Sequence, residues 1–127
     1  MKFSTLMTIN ALIAAVFGIA FVLVPWQIVS LYGLEPNPPL IYLGRLFGTA
    51  LVTFALLTWS ARNSADSEAR KAIILALFVG DAVGFIVALV AQLGGVVNTL
   101  GWSTVAIYLL LTVGFGYFQF SKQTRRD

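Results

Sequence analysis

The chain has 127 residues, of which 59% are hydrophobic and 10% charged. Soluble domains carry about 25% charged residues, so this composition points to lipid rather than water as the surrounding solvent. With no Cys and no His, there is no disulfide framework, thiolate nucleophile, imidazole base or Cys- or His-based metal site. The net charge of +3 is small, and no basic stretch is interleaved with aromatics, which sets nucleic acid aside as a partner.

The first apolar run, Phe3 to Val24, follows Met1-Lys2 directly. A signal peptide has a shorter core and a small-x-small cleavage site before a polar region. This run is as long as a bilayer span and reads as an uncleaved first helix. Its polar positions are Ser4, Thr5, Thr8 and Asn10. Pro25 ends it, having no N–H to donate and a ring that clashes with the preceding turn. The stretch from Trp26 to Leu34 is too short and mixed to span. Trp26 and Tyr32 suit a headgroup boundary, so it is expected to form a short interfacial helix closed at Gly33. A stiff link, Glu35 to Pro39, follows.

The second span is expected at residues 40–61, with Arg45 inside its Gly44–Gly48 segment. The charged run from Arg62 to Lys71 reads as a solvated turn, with Ser67 or Asp66 capping the next helix. The third span, residues 72–93, is nearly unbroken apolar sequence with one carboxylate, Asp81, near its middle. Gly94-Gly95 breaks it, Val96 to Trp102 makes a short return, and the fourth span covers residues 103–120. The tail from Ser121 to Asp127 is polar and expected to fray. The expected fold is all-α: a single membrane domain, an up-down antiparallel four-helix bundle with an interfacial helix between the first two spans. Lys2, Arg62, Arg70, Lys71, Lys122, Arg125 and Arg126 fall on one side of this topology and Glu35 on the other. The positive-inside rule then places both termini in the cytoplasm.

Within the spans, Asn10, Thr53, Asp81 and Thr112 lie within about one turn of a common depth. Helical spacing puts Asp81, Gly84, Ala88 and Gln92 on one face. It does the same for Arg45, Thr49, Thr53 and Ser60, for Asn10, Ala14 and Gly18, and for Thr104, Tyr108, Thr112 and Gln119. These stripes suggest a polar seam, either a hydrogen-bonded layer that fixes helix register or the lining of a small cavity. Asp81 needs a cation, a proton or water there. Arg45 stands nearer the outer end of its span, with an axial gap on the order of 10 Å, and the two side chains lean apart. Direct pairing, snorkelling of Arg45 to the surface and a bridged arrangement all remain open. Without a cation the acid is expected to be neutral, donating to Asn10, Thr53 or Tyr108. The small residues Gly44 and Gly48, and Ala76, Gly80, Gly84 and Ala88, are expected to serve close helix packing, within the bundle or in a homodimer.

The Leu31-Tyr32-Gly33 stretch after Pro25, the opening Leu43-Gly44-Arg45-Leu46-Phe47-Gly48 of the second span and the four spans in this length resemble small four-helix bacterial membrane proteins of the DoxX-like kind. The resemblance implies an inner-membrane, multi-pass protein. Some DoxX relatives are linked to quinone-coupled oxidation as membrane subunits, but no residue here matches a quinone or redox site. No cofactor, metal or catalytic residue is assigned. The leading expectation is a non-enzymatic accessory or interaction subunit, with the bilayer and a homo-oligomer or membrane-protein partner around it. The alternatives are a small transporter or channel component using Asp81 and Arg45, and a lipid- or quinone-binding subunit using Phe115, Tyr117, Phe118 and Phe120 of the fourth span.

Overall fold

Prolines, glycines and short polar side chains mark the helix ends in the computed structural model, which describes residues 2–121. Helix α1 runs Phe3–Leu23, α2 Pro25–Leu31, α3 Pro38–Ala61, α4 Glu68–Leu93 and α5 Gly101–Phe120. No strand occurs among the described residues. Four of the helices, α1, α3, α4 and α5, are long and apolar enough to cross a membrane. At 24 and 26 residues, α3 and α4 exceed the ~20 residues that a bilayer core requires. Expectations for Lys122, Arg125, Arg126 and the end of the tail lie outside the described residues.

Pro25 closes α1 and opens α2, where its missing N–H would have had no helical partner. The expected stop at Gly33 is a Schellman closure: the Gly33 N–H donates to Ser30 O at 3.0 Å and the Leu34 N–H to Val29 O at 3.2 Å. That geometry needs a left-handed residue, and Gly33 has φ 79°. The same device ends α4, with Gly95 at φ 74° and the Val96 N–H donating to Ala91 O at 3.0 Å.

The stiff link before α3 is shorter than expected. Extended Asn37 accepts the Leu40 N–H at 2.9 Å through its side chain, so Pro38 and Pro39 occupy the first turn, where helix donors are unneeded. The second span therefore begins at residue 38 rather than 40. Ser67, not Asp66, caps α4 by accepting the Arg70 N–H at 3.2 Å. Its first turn is charged and reaches four residues beyond the apolar run. Glu68 there meets the positive end of the helix dipole.

The chain divides into two compact units: Met7–Arg62, and the first turn of α1 up to Leu6 together with everything from Asn63 onward. In the first unit α1 and α3 touch backbone to backbone. A Cβ added to Gly48 would lie 2.7 Å from the Gly18 carbonyl oxygen, and one on Gly18 would lie 2.9 Å from the Gly48 oxygen. Phe21 meets Phe47 edge-on at 5.3 Å, and Arg45 Nε donates to Val22 O at 3.3 Å. The contacts climb α1 as they descend α3, so this pair is antiparallel.

In the second unit α4 and α5 are also antiparallel. Phe78 lies against Gly116, Tyr108 against Gly84 and Gln92 against Gly101. The start of α1 joins them at one end. Leu6 lies against Gly114, Phe3 meets Phe118 edge-on at 5.6 Å, and the Arg70 guanidinium stacks on the Phe3 ring at 4.0 Å.

Glycines at true contacts differ from those in open space, and substitution separates them. Gly48→Leu and Gly84→Leu are each expected to destabilise by about 1–3 kcal/mol, because the added side chain must push a neighbour away. Gly80→Leu should not lower thermal stability in detergent, since a Cβ there meets nothing within 4 Å. Equal losses at all three positions would contradict this assignment.

Candidate functional site

The face of α4 carrying Asp81, Gly84, Ala88 and Gln92 is half-buried along its length. Gly84 lets the Tyr108 ring rest directly on the α4 backbone: a Cβ there would come 2.7 Å from Tyr108 Cδ1. The ring is thereby seated about one turn along α4 from Asp81. Asp81 Oδ2 is buried and accepts no hydrogen bond. Further along, Gln92 Nε2 donates to Asn98 O at 3.1 Å, while Gln92 Oε1 is buried without a partner beside Gly101. The Thr112 hydroxyl is spent on its own helix, donating to Tyr108 O at 2.6 Å.

The residues expected from α3 are placed differently. Arg45, Thr49, Thr53 and Ser60 are exposed. Thr49 donates to Arg45 O at 2.9 Å and Thr53 to Thr49 O at 3.0 Å. The face that α3 buries is instead Ile41, Gly48, Ala55 and Thr58. The crossing at Gly48 sets this rotation. At about 100° per residue, Thr49 and Thr53 stand about 100° and 140° away from it. A threonine bonded to the carbonyl four residues back has its donor satisfied, so exposing it costs little. On the first helix Asn10, Ala14 and Gly18 are buried as the stripe implied.

Of the small residues, Gly18, Gly48 and Gly84 make close approaches, while Gly44 has only an ordinary contact, its Cβ position 3.6 Å from Phe21 Cδ1. Ala88 is half-buried, but Ala76 and Gly80 are exposed. That departs from packing within the chain at these two positions, which lie about two turns and one turn before Gly84 on α4.

Two buried polar residues escaped the sequence reading. Thr58 is 0% exposed, its hydroxyl bonded to Phe54 O at 2.8 Å. It continues the helical face of Ile41, Gly48 and Ala55, a spacing signal that was there to find. Arg70, read only as a marker of topology, is 3% exposed. It lies on the same α4 face as buried Ile74 and Leu77, at the four- and seven-residue spacing that gives burial away. Its Nη1 donates to Ser64 O at 3.3 Å. The α5 aromatics are engaged in packing: Phe115 is fully buried, Phe118 meets Phe3 and Tyr117, and Phe120 meets Phe78. Among the described residues no cluster of acidic side chains suits a metal ion.

Asp81 Oδ2 has no hydrogen bond to lose. A hydrogen-bonded layer would lose about 1–3 kcal/mol if Asp81 were replaced by Leu, because its partners would be stranded. With Oδ2 unpartnered, both Asp81→Asn and Asp81→Leu are expected to keep or raise the melting temperature in detergent. A clear drop for Leu with recovery for Asn would restore the structural-layer reading.

No curated protein and no solved structure matches the chain. One family model does, described as Domain of unknown function (DUF8292), over residues 2–123. Since that match takes in all five helices, the chain belongs to the DUF8292 family.

Proposed function

We propose that this protein is a small polytopic subunit of a bacterial inner membrane, without catalysis of its own, that associates with another membrane helix through α4. The observation that carries the reading is the open strip at Ala76 and Gly80. Both are exposed on a helix of span length, and nothing lies within 4 Å of a Cβ placed at Gly80. Lipid tails are as apolar as leucine, so helices associate in a bilayer by close approach, which small residues permit. The sequence adds that there is no His and no Cys. The likeness to DoxX-like proteins fits such a subunit and brings no redox chemistry with it.

The proposed arrangement is an up-down antiparallel bundle with both termini cytoplasmic. It is supported by the two antiparallel pairs and by the cluster of Phe3, Arg70 and Phe118, which puts the start of α1, the start of α4 and the end of α5 together. Lys2, Arg62 and Lys71 belong to that same polar side by the positive-inside rule. Single cysteines at Asn37, Ser64 and Asn98 test it. Positions 37 and 98 are expected to label from outside and position 64 only from inside; labelling of position 64 from outside would invert the topology.

A second reading rests on the unpartnered Asp81 oxygen: ionisable groups in spans mark proton or ion paths more often than packing. The two readings separate on two variants. Gly80→Leu is expected to fold and insert normally but to lose the cross-links and co-purifying membrane partner, or second copy, of the parent chain in native lipid. Proton-coupled flux in reconstituted vesicles, abolished by Asp81→Asn and indifferent to Gly80→Leu, would instead establish the transport reading.

A further inference from the structure

A cavity of about 280 Å³ opens where the charged first turn of α4 meets the end of α5. Its wall changes character along its length. Asp66, Glu68 and Lys71 line it around the start of α4, Ala72, Ile74 and Leu75 further along that helix, and Phe118 and Gln119 from α5. Lys71 Nζ and Glu68 Oε1 are 3.4 Å apart, with side chains 50% and 95% exposed. An exposed pair of this kind contributes little to stability, so Lys71 can turn to another anion at small cost. Among the described residues of the lining, Asp66 is a carboxylate with no cation set against it once Lys71 and Glu68 offset each other. It is partly covered by the surrounding chain.

From this gradient we infer that the cavity binds a phospholipid with a primary-ammonium headgroup, of the phosphatidylethanolamine type. The inference rests on the proposed membrane insertion, which sets this end of α4 at the cytoplasmic surface. Each part of the wall selects a part of the ligand. The Asp66 and Glu68 carboxylates accept from a primary ammonium, whose N–H donors make short charge-assisted bonds. A quaternary trimethylammonium has no such donor. Lys71 meets the phosphate as a point charge on a flexible stem. Ile74, Leu75 and Phe118 lie on the hydrocarbon side, along the first part of an acyl chain. An anionic headgroup would bring its charge to Asp66 and Glu68 with no ammonium to balance it.

The test uses the full chain in detergent with phosphatidylethanolamine, phosphatidylcholine or phosphatidylglycerol of identical acyl chains, read by melting temperature and by native mass spectrometry of retained lipid. The ethanolamine lipid is expected to raise the melting temperature by at least about 3 °C and to be retained several-fold over the other two. Asp66→Asn removes that preference, and Glu68→Gln, at a highly exposed position, weakens it without affecting the fold. Glu35→Gln, in the other polar segment, leaves it unchanged. Equal retention of all three lipids overturns the proposal, as does an undiminished preference in both Asp66→Asn and Glu68→Gln. Free phosphoethanolamine is expected to give no shift; protection equal to the lipid's would overturn the assignment to a lipid. Cysteine labelling reads membrane topology separately, so a failed lipid preference with the expected labelling sinks this inference alone.

Discussion

Hydrocarbon offers a peptide group no hydrogen bond, so a chain that crosses it must end each helix where the last carbonyls and first N–H groups find partners. The described helix ends are closed in a way that meets that demand. Gly33 and Gly95 take the left-handed conformation that folds the following N–H groups back onto α2 and α4. Asn37 and Ser67 supply side-chain acceptors where α3 and α4 begin. The end of α1 is harder, because Pro25 brings no donor. There Arg45 reaches across from α3 to the Val22 carbonyl, setting a cation at the negative end of a helix dipole. Arg45 is thus a closing device for α1, a role that needs no ion pair.

With the ends closed, glycine contacts decide rotation. Gly18 and Gly48 bring two backbones together, and that single crossing fixes which residues of α3 are buried. Thr49 and Thr53 fall outside the contact and bond to their own helix. On α4 the corresponding choice is made at Gly84, where the Tyr108 ring fills the space a side chain would occupy. Asp81 and Gln92 share that face and are half-buried, Gln92 beside Gly101. No hydrogen-bond partner for Oδ2 directs the burial of the acid.

Features encoded by single residues were legible in the sequence. Pro25, Gly33, Ser67 and Gly94-Gly95 each stop or start a helix through local chemistry, and the structure places boundaries at each of them. The start of α3 was misplaced because Pro38 and Pro39 read equally as a rigid link or as a first turn, and only the Asn37 side-chain bond distinguishes them. Helix rotation was less legible. Polar residues were expected to face inward, but a threonine can satisfy itself on its own backbone, so polarity does not fix the direction of its helix face. The apolar and small positions Ile41, Gly48 and Ala55 carried that information, and Thr58 followed them into the interior. Arg70 shows the same limit from the other side: its charge suggested solvent, while its spacing from Ile74 and Leu77 placed it in the interior, where Phe3 covers it.

The buried polar groups of this chain divide by how they are satisfied. Thr58 bonds to its own helix, and Arg70 has a carbonyl and an aromatic face. Both are structural in the plain sense that removing them would leave a gap or an orphaned group. Asp81 Oδ2 has neither kind of support. A carboxyl costs more than an amide or hydroxyl in such a place, and a leucine at that depth would be cheaper for the fold. Stability thus gives no reason for an acid at this position, although it does for Thr58 and Arg70. The buried carboxyl is a cost that the packing around it does not offset with a hydrogen bond to Oδ2. The more conspicuous polar stripe of α3 carries no such cost, because the Thr49 and Thr53 hydroxyls are bonded to their own helix.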